Sequence, residues 1–230
     1  MNKKTWIIFI VVCVAIFAAL IAMSQSKRID VSNIDTSKVQ PASDASGNIA
    51  DQLAGNKDAT VTLIEYGDFQ CPSCEGAYPN IKSILDEYGD DVRFIYRNFP
   101  ITSAHPNALA AAAAAEAAGL QGKYWEMHNY IFENKSEWAN LSVEQRTDKF
   151  TDYAIVFRLD EDKFVKDMAS ERVSQKVAFD KALAGKDGVS GTPTFFLNGK
   201  ELTKEMSNDV VQQQGNLLKK AIEEAIKSTK

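Results

Sequence analysis

Three cysteines and two histidines are all that this chain of 230 residues offers in soft metal-ligating side chains. A closed structural zinc site normally takes four ligands at short, regular spacing. Cys13, Cys71, Cys74, His105 and His128 show no such spacing, so a zinc-finger organisation is excluded and no metal is expected. Nor do three cysteines make the paired framework of a small disulfide-stapled scaffold. Clustered positive charge is equally scarce. No run of Lys or Arg exceeds two residues and the net charge is −5, which excludes the basic footprint of a nucleic-acid-binding protein. With 6 prolines, 12 glycines and 45% hydrophobic residues, the composition is that of an ordinary packed globular chain.

What is present begins at the N-terminus. Lys3 and Lys4 precede an uncharged apolar run from Thr5 to Met23, long enough to span a bilayer as a helix. The two lysines favour a cytoplasmic N-terminus with the remainder exported, although Lys27 and Arg28 weaken the asymmetry. A cleavable signal peptide competes, with Ala22-Met23-Ser24 as its site, but the run is longer than a usual signal core. Residues 1–23 are therefore expected to be a membrane anchor, and the chain beyond them to work where disulfides persist. Cys13 lies within the anchor and is expected to carry no chemistry. Residues 24–57 read as a polar linker, with room for a short helix near 49–53.

The folded domain is expected over 58–230. Val61–Tyr66 reads as a buried strand, and the segment after Cys71-Pro72-Ser73-Cys74 reads as a helix with Tyr78, Ile81, Ile84 and Leu85 on one face. Val92–Asn98 alternates like a half-buried strand, so the three form a βαβ unit with a parallel pair. From about 104 to 186 only helical patterns occur. Alanines fill 107–118, Ser142 and Gln145 form a capping box, and Asp160 and Ser170 stand as N-caps. Thr194–Leu197, Asn198-Gly199 and Lys200–Leu202 read as a hairpin, and Leu217–Ile226 as a closing helix after a loop through about 214.

Two cysteines separated by two residues at a strand-to-helix junction can close a small disulfide ring. The first sulfur then sits at a helix N-terminus, where unpaired N–H groups and the helix dipole favour a thiolate. A ring of four residues constrains little chain entropy and would be a poor structural staple, so the pair points to redox exchange. Glu65, six residues earlier, is an acid within an apolar strand, a costly placement unless it stays protonated or does work.

This order of elements resembles the thioredoxin fold with a helical insertion, specifically the DsbA-like exported thiol–disulfide oxidoreductases. The residues that carry the resemblance are Asp68-Phe69-Gln70-Cys71-Pro72-Ser73-Cys74, His105-Pro106-Asn107-Ala108, Tyr124–His128 and Val189–Phe196. The Cys-Pro-Ser-Cys centre behind a membrane anchor is similar to BdbD-type members. Ser73 departs from the better-known members, which carry a thiolate-supporting His there.

The resemblance implies that Cys71, exposed at the helix start, is the attacked sulfur and that the buried Cys74 resolves the mixed disulfide. It implies a cis bond before Pro193, turning the Thr192 backbone toward the sulfurs, where an extended substrate could pair with it. It makes Glu65 a proton relay to Cys74. Asp68 is expected to be a turn residue, and His105 and His128 to be structural, with Trp125, Tyr130, Phe132 and Trp138 forming the core of the insert. No cofactor beyond the Cys71–Cys74 disulfide is implied. The partners implied are unfolded exported proteins and a quinone-linked membrane oxidase that recharges the pair, with a monomer as the default state. Competing readings are a reductase or isomerase of the same fold, a non-catalytic peptide-binding module, and, more remotely, a glutathione-conjugating relative, against which Cys74 counts.

Overall fold

The computed structural model describes residues 3–25, 29–212 and 215–229, with side chains described for all of these except 18–25 and 229. The chain divides into two units, 1–30 and 31–230. The first holds one helix, α1 (Lys3–Gln25), whose described apolar side chains from Trp6 to Phe17 are exposed. Among the described residues no helix is long and apolar enough to cross a membrane. The expected span over Thr5–Met23 falls partly outside them, because the side chains of residues 18–25 are not described.

The second unit is an α/β fold on a five-stranded sheet. Its strands are β1 (Leu53–Gly55), β2 (Val61–Gly67), β3 (Val92–Asn98), β4 (Thr194–Leu197) and β5 (Lys200–Glu201), in the order β1-β3-β2-β4-β5. The expected βαβ unit is there. Strands β2 and β3 run parallel with Glu65 opposite Tyr96, and helix α2 (Pro72–Tyr88) connects them. The remaining pairs are antiparallel. Asn198 and Gly199 form the β4–β5 turn at φ 48° and 79°, the left-handed geometry that a two-residue hairpin requires.

The insert consists of α3 (Ala108–Gly119), α4 (Tyr124–Glu133), α5 (Lys135–Trp138), α6 (Val143–Val156), α7 (Glu161–Met168) and α8 (Glu171–Lys186). Helix α3 packs against α4, α6, α7 and α8. Apart from Glu116 it is apolar, most of its residues are buried while Leu109 is exposed, and its alanines allow that many neighbours to approach. The caps read from sequence are formed: Ser142 with Gln145, Asp160 with the Lys163 amide, and Ser170 with the Val173 amide. Trp138 and Phe132 are core residues, whereas Trp125 and Tyr130 are half-buried against it.

Three expectations need correction. First, the linker of 24–57 is folded from residue 31 onward, with a short 3₁₀ turn at Asp44–Ser46. Second, residues 49–52 form no helix, and β1 follows from Leu53 as an edge strand on β3. The reason is a cluster of buried charge that no local pattern announces. Asp51 receives hydrogen bonds from Arg97 at 2.8 Å and Lys176 at 3.0 Å, and Lys176 also donates to Asp180 at 2.6 Å. Arg97 further donates to the carbonyls of Thr36 and Lys38, while Lys186 donates to that of Ile34. A polar segment with few apolar residues is thus held by cations from β3 and α8. Third, the loop expected before the last helix holds α9 (Lys204–Val211), capped by Thr203. Helix α10 (Asn216–Thr229) follows it.

Candidate active site

Strand β2 ends at Gly67, and the next four residues carry the chain to Cys71, the N-cap of α2 at φ −66° and ψ 126°. Pro72 occupies the first helical position, where a missing N–H costs nothing. The structure shows both cysteines as free thiols. Cys71 Sγ lies 3.4 Å from the Thr192 carbonyl, and the Thr192–Pro193 bond is cis. The site therefore brings together Cys71, Cys74, Thr192 and Pro193 from two regions separated by more than a hundred residues.

Cys71 is less open than the sequence suggested: 7% exposed, against 1% for Cys74. The Thr192-Pro193 loop over it is the reason. The order of access is nonetheless Cys71 first, so an incoming sulfur meets Cys71 before Cys74.

The electrostatics separate the two thiols. The Cys71 thiol is pulled down to about 5, chiefly by a hydrogen bond from Cys74 and also through Thr192 and the Ser73 and Cys74 amides, which together outweigh burial. This holds without an imidazole at position 73. Cys74 is pushed well above its ordinary value by burial, by its hydrogen bond to Cys71, and by the charges of Glu65 and Cys71. The Asp68 amide meets Cys74 Sγ at 3.4 Å. Glu65 is 4% exposed and is raised to about 8, first by burial and then by the Cys71 charge, with a hydrogen bond accepted from Cys74 opposing. A thiolate former at the rim thus stands with a protonated thiol and a protonated carboxyl behind it, both buried.

Around this centre is a scaffold that the sequence reading undervalued. Asp68 does make the expected turn, accepting from the Gln70 amide at 2.8 Å. It is also buried, and its other oxygen accepts from the Ile101 amide and pairs with His105 Nδ1, both at 2.8 Å. Gln70 donates to the Ala139 carbonyl at 2.7 Å and accepts from the Asn107 amide at 2.7 Å. Asn107 in turn donates to the carbonyls of Ala139 and Leu141. The loop before Cys71 is thereby bolted to the insert. The available signal was two polar residues flanking an aromatic immediately before the cysteine pair. His128 is buried among Phe69, Tyr96, Trp125 and Phe132 and is lowered to about 4 by burial, so it is neutral. Among the described residues, no group of three or more His, Cys, Asp or Glu side chains could hold a metal.

Comparison with known proteins bears on the fold and the family. A family model described as Thioredoxin matches residues 48–215. A protein named Na⁺/H⁺ antiporter NhaA 1, from Salinispora arenicola, is 40% identical over 150 residues, covering 65% of this chain. The chain spans only about a fifth of that relative, 22% of its length. Among solved structures, a thioredoxin-like oxidoreductase from Silicibacter pomeroyi superposes with a TM-score of 0.62 at 28% identity, covering 80% of this chain and 97% of that one. Oxidised BdbD from Bacillus subtilis shares the fold, with a TM-score of 0.65 at 23% identity over 82% of this chain and 97% of its own.

Proposed function

Since the chain belongs to the thioredoxin family, in its DsbA-like branch of thiol–disulfide oxidoreductases, we propose that it is a disulfide donor, oxidising exported proteins with its Cys71–Cys74 disulfide. The observation that carries this reading is the Cys71 thiol lowered to about 5 beside a Cys74 held protonated. A couple whose reduced form is stabilised as a thiolate is the more oxidising one. Reported thiol values of about 3.5 for DsbA and about 7 for thioredoxin bracket it.

The reaction follows from the layout. A substrate thiolate attacks Cys71 Sγ, forming a mixed disulfide and breaking the Cys71–Cys74 bond. The electron pair left on Cys74 takes a proton from Glu65. A second substrate thiolate then attacks the substrate sulfur of the mixed disulfide, and Cys71 leaves as its stabilised thiolate. The Thr192 backbone lies where an extended substrate strand could pair with it. No bound cofactor takes part, and a quinone-linked membrane oxidase regenerates the disulfide.

The anchor belongs to the same proposal. A helix apolar on every described face from Trp6 to Phe17 calls for an apolar surrounding. The N-terminal lysines favour a single pass with the catalytic unit outside the cytoplasm. The Salinispora relative supports a membrane-side setting, since Na⁺/H⁺ antiport is transport across a membrane. We take the working unit to be a monomer.

The test is the reduction potential of the pair, by equilibration with glutathione buffers. A value near about −120 mV supports a donor, and one near about −270 mV leaves a reductase instead. In parallel, Cys71→Ser should abolish exchange, whereas a binding module would keep its activity.

A further inference from the structure

Tyr96 lies directly opposite Glu65 in the parallel β2–β3 register, so both side chains emerge on one face of the sheet. The residue is 1% exposed. Its ring is fixed by Phe69 at 5.0 Å and His128 at 4.7 Å between centroids. The phenol reaches toward the C-terminal end of β2, into the space that a glycine at position 67 leaves open. A Cβ on Gly67 would stand 2.6 Å from the Tyr96 hydroxyl. The next residue, Asp68, contacts Cys74 Sγ through its amide. The Tyr96 phenol thus ends against Gly67, one residue before the amide that meets Cys74, and among the described residues its hydroxyl is buried without a hydrogen-bond partner. Native proteins rarely leave such a donor unpaired, and the exceptions need an explanation.

The groups acting on this hydroxyl come from each element packed around it: Cys74 on α2, Glu65 on β2, Tyr124 on α4 and Asp68 in the loop. All are acids or neutral, and together with burial they hold the phenol well above its ordinary value. It can donate a hydrogen bond there without giving up its proton. We propose that Tyr96 is a positioning residue for the Glu65–Cys74 pair, its hydroxyl donating to the Glu65 carboxylate when Glu65 passes its proton to Cys74. This rests on the exchange reading above. In that step the substrate sulfur bonds to Cys71, the Cys71–Cys74 bond breaks, and the pair left on Cys74 accepts the Glu65 proton. The disulfide is the oxidant, and Tyr96 neither gains nor loses a proton.

The test uses the full chain with carboxyl-labelled glutamate, reading Glu65 ionisation by NMR and the rate of attack by a small dithiol across pH. Tyr96→Phe removes only the unpaired hydroxyl. The Glu65 midpoint should rise by about one unit, roughly tenfold in its ionisation constant. Exchange should slow by a similar factor, and that slowing should vanish in a Glu65→Gln background. Replacing Tyr96 with 3-fluorotyrosine, a stronger donor of the same shape, should move the midpoint the other way, and it decides the matter if Tyr96→Phe fails to fold. A midpoint unmoved by the substitutions, or an equal slowing in the Glu65→Gln background, overturns the role of Tyr96 while leaving exchange intact. A wild-type chain that fails to exchange overturns the functional reading itself.

Discussion

Glu65→Gln should make the reduced protein more stable, and the amount can be worked from the site. Glu65 ionises at about 8 in the folded chain against an ordinary value of 4.5. Between those values the native state holds a proton that the unfolded chain has released. The folded form therefore loses about 1.4 kcal/mol of stability for each pH unit above 4.5. At pH 7 the accumulated cost is about 3 kcal/mol, and glutamine, with the shape of the protonated acid and no charge to lose, removes it.

Cys71 acts with the opposite sign. Its thiol, at about 5 against an ordinary 9.0, stabilises the fold increasingly as pH rises through that interval. The wild-type profile is thus flattened, and only the difference between variant and wild type isolates Glu65. Urea unfolding under reductant at pH 5, 6, 7 and 8 should show a gap that widens steadily and reaches a midpoint shift on the order of 1 M or more at neutral pH. The gap should narrow in the disulfide form, where the Cys71 charge that helps raise Glu65 is gone. A gap that does not grow with pH, or a variant no more stable at pH 7, would refute a buried, protonated Glu65.

The ultraviolet thiolate band of the reduced protein should titrate with a midpoint near 5 and disappear in Cys71→Ser. In Cys74→Ala that midpoint should rise, because the Cys74 hydrogen bond is the largest contribution holding it down. Asp51→Ala takes the paired carboxylate from Arg97 and leaves Lys176 with Asp180, and should cost about 3–5 kcal/mol in denaturant unfolding; a loss under 1 kcal/mol would mean that the remaining partners and water suffice. A fragment beginning at Val31 should unfold cooperatively in the same assay, whereas one beginning at Asp58, lacking β1 and Asp51, should show no cooperative transition.

The parts that were legible in the sequence were those with local signatures. Cys71-Pro72-Ser73-Cys74, the strand before it and the Asn198-Gly199 turn each announce themselves within a few residues, as do the caps at Ser142, Asp160 and Ser170. Residues 31–57 do not, because their hold on the domain is ionic and distant: Asp51 meets Lys176 across 125 positions. A carboxylate that pairs far away looks in sequence like any solvated one. The same holds for Asp68, whose buried contact with His105 spans 37 positions. Glu65 stood out for the opposite reason, as an acid set among strand-forming apolar residues. Tyr96 gave no signal, since a tyrosine in an alternating strand is ordinary and only the register places it beside Glu65.

The ionic cluster also sets a timetable for the chain's own maturation. Its members come from residues 36–51, from β3 and from α8, and synthesis delivers them in that order. Until α8 has emerged, Asp51 and Arg97 have no buried setting to enter and must remain hydrated, so the earliest-made stretch of the domain docks among the last. Closing loops of this length is slow compared with forming helices. Throughout that interval Cys71 and Cys74 are exposed thiols on an unfinished chain, and a thiol–disulfide oxidoreductase spends its own assembly as a candidate substrate for the exchange chemistry of its kind.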